Sequence, residues 1–466
     1  MGSRESHMTQ TDLFAWSMEH DPLLRSTIVT VLILDTEPDR ARMVELMDRG
    51  TRVVPRFRHV LSVAPMNLTP PRWKADTDFD LSWHLRWSAL PAPGDMSTVL
   101  DFARTEMMTA FDPIRPLWTF TVLTGLSGGR CAAVLKVHHS LTDGIGGIQI
   151  AGEMLDLARE GTEREPVGDS GPPDSGALAD IVEWNLSTGY EVVRAGLSTA
   201  ASAARQTLTS PVRAARSGAG LAWSLARFVR PITSTLSPVM TERGQSRRLS
   251  VLEAPLAELS AAAHRAECTL NDAYLAALLI GLRAYHERQG ASVEQLRLTM
   301  PISTRTAADP IGGNRITLAR FAVRADIDDA IAMMRAVHAT VEGWRHEQAI
   351  PLTNAVAAVL NRLPSMVLAQ MLEHVDFVAS DVPGSPVPLY LAGAEIEQMH
   401  AFGPTLGTAF NATLVSHIGT CYIGLDIDTA AVTDPAEFLD CIDSGLRAVR
   451  ATGARPPETA PPPTGT

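Results

Sequence analysis

The chain has 466 residues, enough for a large core and for two or three domains, and it is 45% hydrophobic and 20% charged, as ordinary globular proteins are. A formal net charge of -12 argues against a general nucleic-acid binder. Four scattered cysteines (Cys131, Cys268, Cys421, Cys441) lack CxxC or metal-ligand spacing and read as buried thiols of a reducing compartment, while the absence of a visible signal peptide and of any apolar run near ~20 residues predicts a cytoplasmic protein without a membrane span.

In chain order, residues 1–7 read as a cloning remnant, with Met8 as the natural start. The β-branched run over 26–34 predicts a strand. Residues 39–50 predict a helix capped by Asp39 and stopped by Gly50. A further helix is expected over 101–111, closed by Asp112-Pro113, and then a strand over 116–123. Ser127-Gly128-Gly129 predicts a hairpin turn into a second strand, 130–136.

That second strand runs into Val137-His138-His139-Ser140-Leu141-Thr142-Asp143-Gly144, with a helix expected from about Gly147. A general base near neutral pH wants a pKa near the operating pH, and histidine lies at about 6.5. If the strand stays extended through the pair, His138 and His139 point to opposite faces, so only one can meet a reacting hydroxyl. Asp143 would fix the loop and ring, directly or through an arginine, and Gly144 permits a turn that a Cβ would resist. The other reading is a strand end with two partly exposed histidines and an aspartate that caps a helix.

Residues 160–176 are rich in Gly, Pro, Asp and Glu and read as a linker, followed by broken helical stretches to about Ala226. From Val192 to Thr241 there is no acid, yet there are Arg194, Arg205, Arg213, Arg216, Arg227 and Arg230. Basic character interleaved with Trp223, Leu225 and Phe228 suits an anionic membrane or lipid-droplet surface. It equally suits a crossover helix lying on the other half of the chain.

The second half predicts a strand over 249–252, a helix over 257–267 and another opened at Thr269-Leu270-Asn271-Asp272, with Thr269 or Asn271 as cap. Strands follow over 296–305 and 316–323, helices over 327–347 and 353–363, and strands over 410–417 and 421–426. The last helix is expected over 434–450, and residues 456–466 read as a disordered tail.

His-His-x-x-x-Asp-Gly over His138 to Gly144 resembles the active-site signature of the CoA-dependent acyltransferase superfamily, which includes chloramphenicol acetyltransferase and peptide-synthetase condensation domains. Further stretches are similar to bacterial wax ester synthase/diacylglycerol acyltransferases: Pro116-Leu117-Trp118, Asn271-Asp272, Pro301-Ile302-Ser303-Thr304-Arg305, Gly313-Asn314, Ser380-Asp381-Val382-Pro383-Gly384, Leu389-Tyr390-Leu391-Ala392-Gly393, and Asn411 to Ser416. The chain departs from that pattern at Thr119, where an acid is usual, at Asp381 for Asn, at Ser385 for Pro and at His417 for Tyr.

The resemblance implies an α/β fold: two chloramphenicol-acetyltransferase-like subdomains with mixed sheets flanked by helices, joined by a helical crossover. Residues 9–159 would form the first subdomain, 160–247 the linker and Arg-rich crossover, 248–450 the second subdomain and 451–466 the tail. It implies a channel between the halves with His139 as the base, and with His138, Asp143 and Gly144 completing the motif. Asn271 would donate to the thioester oxygen. Arg305, or an arginine of Val54-Pro55-Arg56-Phe57-Arg58, would partner Asp143, and Arg305 would otherwise meet a CoA phosphate. Asn314, Asn411 and Ser416 would line the channel.

The implied activity is transfer of a fatty acyl group from CoA to diacylglycerol or a long-chain alcohol. It needs no cofactor and no metal, with acyl-CoA as co-substrate. Two alternatives stay open: the same chemistry on a secondary-metabolite hydroxyl or amine, and a non-catalytic lipid-binding protein. The chain shows no Gly-x-Ser-x-Gly elbow, P-loop or HExxH motif.

Overall fold

The computed structural model describes residues 7–63, 70–164, 167, 234–303, 313–314, 316–345, 361, 372 and 374–454. Arg305, the helix expected over 353–363 except residue 361, residues 455–466 of the expected tail and most of the linker and Arg-rich crossover lie outside them, while 451–453 belong to the last helix.

The first half opens with helix α1 (Gln10–Ser17), closed at its start by a capping box between Thr9 and Asp12. Strand β1 (Thr27–Leu34) follows, then α2 (Arg40–Val53), capped by Asp39 as expected. Gly50 does not stop that helix. Its missing side chain instead admits Met154, whose Cγ would lie 2.9 Å from a Cβ placed there. A pair of short strands, β2 (His59–Ser62) and β3 (Arg72–Ala75), precedes α3 (Leu81–His84) and β4 (Leu85–Ala89). Helix α4 (Met96–Met108) starts earlier than the expected 101, because Asp95 caps it by accepting from Thr98 N. Strands β5 (Trp118–Thr124) and β6 (Cys131–His138) are joined by a turn in which Gly128 and Gly129 take φ of +81° and +76°, as the hairpin reading requires. Helix α5 (Gly144–Met154) begins at the motif glycine rather than at Gly147.

The second half contributes β7 (Arg247–Pro255), α6 (Leu256–Ala266), α7 (Leu270–Arg288), β8 (Gln295–Ser303), β9 (Ile316–Arg324), α8 (Ala330–Arg345), β10 (Phe377–Ser385), β11 (Tyr390–Leu391), β12 (Ala394–Phe402), β13 (Phe410–His417), β14 (Thr420–Asp428) and α9 (Pro435–Gly453). Thr269, not Asn271, caps α7 in a capping box with Asp272. Residues 272–282 of α7 are buried all round, because α6, α8 and α9 pack around the helix. Gly281 and Gly445 let α7 and α9 touch along their backbones: a Cβ on Gly445 would sit 2.2 Å from the Ala277 carbonyl oxygen.

Two mixed six-stranded sheets result, in the orders β11-β12-β1-β6-β5-β4 and β7-β14-β13-β10-β8-β9. The first draws two strands from the second half, for β12 pairs antiparallel with β1 (Val31 opposite His400). The same strand touches the second sheet, where His417 Nε2 lies 2.8 Å from the Ile396 carbonyl and the Tyr422 hydroxyl donates to that of Glu397 at 3.2 Å. The crevice between the sheets holds the candidate site.

Candidate active site

The end of β6 sets the direction of both histidines. His138 N donates to Leu117 O at 3.0 Å and His139 N to Ser26 O at 2.8 Å, so the chain stays extended between its neighbours. The two rings therefore leave on opposite faces.

His139 faces a cavity of about 740 Å³ that runs between the sheets. Its Nδ1 is buried without a hydrogen-bond partner among the described residues. Nε2 is the ring nitrogen left open toward the cavity. Burial pushes the imidazole below its ordinary value near 6.5, against the pull of the Asp143 carboxylate. The resting ring is thus neutral near pH 7 and able to accept a proton.

His138 points away and does not line the cavity. It is fully buried; its Nδ1 accepts from Ser140 N (3.1 Å) and pairs with Ser140 Oγ (2.7 Å). Its Nε2 lies 3.4 Å from Glu19, and Trp16 and Phe111 meet the ring edge-on. Nothing in the local sequence spacing pairs Glu19 with this ring; their meeting is a product of the fold.

Asp143 is buried and caps α5, its Oδ1 accepting from Gly146 N at 2.7 Å. The helix-cap reading and the site reading therefore describe the same side chain. Gly144 lines the cavity, and a Cβ there would press Val382 Cγ2 at 3.1 Å. The loop between is held from the other half: Gly313 N donates to Leu141 O at 2.7 Å.

Arg56, offered as a partner for Asp143, is committed elsewhere. Its guanidinium binds Asp12 at 3.1 Å and Ser140 O at 3.4 Å. Asp12 is fully buried and also accepts from Asn314 N at 3.2 Å, so one carboxylate ties α1, the turn after α2 and the loop before β9 together. Arg58 likewise turns to Asp48.

Asn271, Asn314 and Asn411 all line the cavity. The Asn411 amide is already occupied, donating to Pro404 O (2.8 Å) and accepting from Thr413 Oγ1 (3.0 Å). Ser416 is not in the wall; Asn411, Thr413 and Val415 are. A strand alternates, and Ser416 is an odd number of residues from Asn411. Trp118 lines the cavity while its Nε1 donates to Phe57 O at 2.8 Å and its ring stacks on His84.

Two wall residues escaped the expected set. Arg320 of β9 is a lone charge in an apolar run, a signal the sequence does carry; burial pushes its guanidinium down to about 10. Asp381 also reaches the cavity, and burial pushes its carboxyl up to about 6. Away from the cavity, Cys268, Asp272 and His338 hold potential ligand atoms within 4.8 Å of one another, but Asp272 is engaged as the α7 cap and by His338 Nδ1 at 2.8 Å.

The wax ester synthase/diacylglycerol acyltransferase catalytic domain model matches residues 8–274, and the WS/DGAT C-terminal domain model matches residues 312–450. A relative from Mycobacterium tuberculosis strain H37Rv, named as a diacylglycerol O-acyltransferase, is 32% identical over 445 residues, covering 94% of this chain and 90% of its own. Another from that strain, the diacylglycerol O-acyltransferase tgs1, is 26% identical over 435 residues, covering 90% and 89%. Among solved structures, the wax ester synthase/diacylglycerol acyltransferase from Marinobacter aquaeolei VT8 shares the fold with a TM-score of 0.64 at 21% identity, over 96% of this chain and 100% of that one. The first condensation domain of the calcium-dependent antibiotic synthetase does so with a TM-score of 0.61 at 14% identity, over 97% and 96%. With both family models together spanning most of its length, the chain belongs to the wax ester synthase/diacylglycerol acyltransferase family.

Proposed function

We propose that this chain is an acyl-CoA-dependent O-acyltransferase that moves a fatty acyl group from CoA to diacylglycerol or a long-chain alcohol, giving triacylglycerol or a wax ester. The observation that carries this is His139: an imidazole held below its ordinary pKa by burial that faces a long, largely apolar cavity. His139 Nε2 takes the acceptor's hydroxyl proton as its oxygen attacks the thioester carbonyl. The tetrahedral intermediate collapses, the C–S bond breaks, and the proton passes from His139 to the departing CoA sulfur. Asn271, at the start of α7, donates to the developing oxyanion. No acyl-enzyme and no metal is required, because the cavity aligns two reactants around one base, and such positioning supplies much of the acceleration.

The remaining assignments follow this reading. Asp143 and His138 position the loop, Gly144 gives it room, and Asn314 and Asn411 shape the walls. Arg305 orients Asp143 or meets a CoA phosphate. Residues 9–159 and 248–450 act as the two catalytic subdomains. No helix among the described residues is long and apolar enough to cross a membrane. Contact with a lipid surface is assigned to the basic stretch 192–241.

The test is CoA release from palmitoyl-CoA with diacylglycerol, hexadecanol or no acceptor. Wild type should turn over only with an acceptor, and His139→Ala should lose roughly 10²- to 10⁴-fold in kcat. Equal turnover by the mutant, or none by wild type with any acceptor, rejects the assignment. Flotation with anionic liposomes tests the lipid contact: binding at low salt that weakens at high salt is expected.

A further inference from the structure

Resting on the acyltransfer reading, we infer that Asp381 is a specificity residue for the acyl acceptor: its carboxyl group receives a hydrogen bond from a second hydroxyl, or an amine, on the molecule being acylated. Three observations converge. First, Asp381 lies midway along β10, with Ser380, Val382 and Pro383 beside it in the cavity wall. Second, it shares a strand face with Phe377 and Ala379, which are buried in the core beneath α7. Its charge is felt by Tyr274 and Cys421, both fully buried. Tyr274 follows Asn271 by three residues and so lies on the same side of α7, and Asn271 is also in the wall. Asp381 and the residue assigned to the thioester oxygen thus line one cavity. Third, among the described residues nothing gives the Asp381 side chain a hydrogen bond or an ion pair.

The Asp381 side chain is accessible, and a carboxyl crowded by protein yet without a partner is poorly solvated. Its use lies in what enters the cavity. The CoA head is anionic and would be repelled. A fatty acyl chain has no donor to offer. Diacylglycerol and hexadecanol carry a single hydroxyl, which the base needs. A 1,2-diol carries one hydroxyl for His139 and a second for Asp381. A carboxylate accepts such a bond more strongly than the amide oxygen of an asparagine, the residue usual at this position in the resembling sequences.

The experiment compares 1,2-hexadecanediol with hexadecanol as acceptors for palmitoyl-CoA, in wild type, Asp381→Asn and Asp381→Glu. Wild type should favour the diol about tenfold or more in kcat/KM. That ratio should collapse toward one in Asp381→Asn and survive in Asp381→Glu, which keeps the carboxyl. Acceptor Kd values, read from tryptophan fluorescence because Trp118 lines the cavity, should change in parallel. A ratio that Asp381→Asn leaves intact overturns the inference. So does a wild type indifferent to the second hydroxyl. A rise in palmitoyl-CoA KM that is equal for both acceptors would put the carboxyl on the pantetheine amides instead, and also overturns it. Absence of turnover with either acceptor would defeat the acyltransferase reading alone, since the Kd ratio still decides the role of Asp381.

Discussion

At the scale of single residues, the proposed chemistry depends on keeping His139 neutral yet basic. Burial favours the neutral ring and Asp143 favours the protonated one, so the two oppose each other. In that proposal the working form is the neutral one. Activity should therefore hold through neutrality and fall on the acid side through a pKa below 6.5. Asp143→Asn removes the charge that raises the ring, while an asparagine still caps α5. Its acid limb should move to lower pH, measured as kcat/KM from pH 4.5 to 8. An acid limb that moves upward would mean that Asp143 acts on something other than the ring. Side-chain direction was legible wherever alternation applied: the opposite faces of His138 and His139 follow from an extended strand. The same rule, applied to Asn411 and Ser416, already excludes Ser416 from the wall. The partner of Arg56 was not legible, because Asp12 stands 44 residues earlier and only tertiary packing brings it there.

At the scale of elements, caps were the most readable signals. Asp39, Thr269 and Asp434 each accept from the first turn of the helix they precede. Strand β12 was hidden, because Glu395, Glu397 and Gln398 dilute its apolar alternation although it pairs on both sides. Gly50 reads as a helix stop yet serves close packing, and a sequence cannot distinguish these uses. The same use at the α7–α9 crossing gives a prediction. Gly445→Ala must move backbone rather than a flexible side-chain end, so it should cost roughly 2–3 kcal/mol or more. Urea melts should show a lower midpoint, while kcat/KM of the folded fraction stays near wild type, since the crossing lies away from the cavity wall.

At the scale of the whole molecule, the site exists only where the halves meet. The motif loop comes from the first half, and its supports, Gly313, Asn314 and Val382, from the second. The general plan of two α/β halves with mixed sheets was legible through ordered motifs. How they interlock was not, because strand exchange leaves no local pattern. Asp12 measures the interlock. Asp12→Ala leaves the Arg56 guanidinium without its buried carboxylate and Asn314 N without its acceptor. We expect a loss of roughly 3–5 kcal/mol in urea unfolding, as for other broken buried pairs. Activity should fall in parallel, as the loop from Ser140 to Thr142 loosens.

Strand β12 carries one more consequence. If the gene were divided before residue 390, the leading fragment would present the bare flank of β1, eight residues long and rich in Val, Leu and Ile, to solvent. Such a flank is a template for self-adhesion. Reconstitution from two separately purified pieces should then fail by precipitation, and co-expression, which lets the trailing piece zip onto β1 during synthesis, should rescue it.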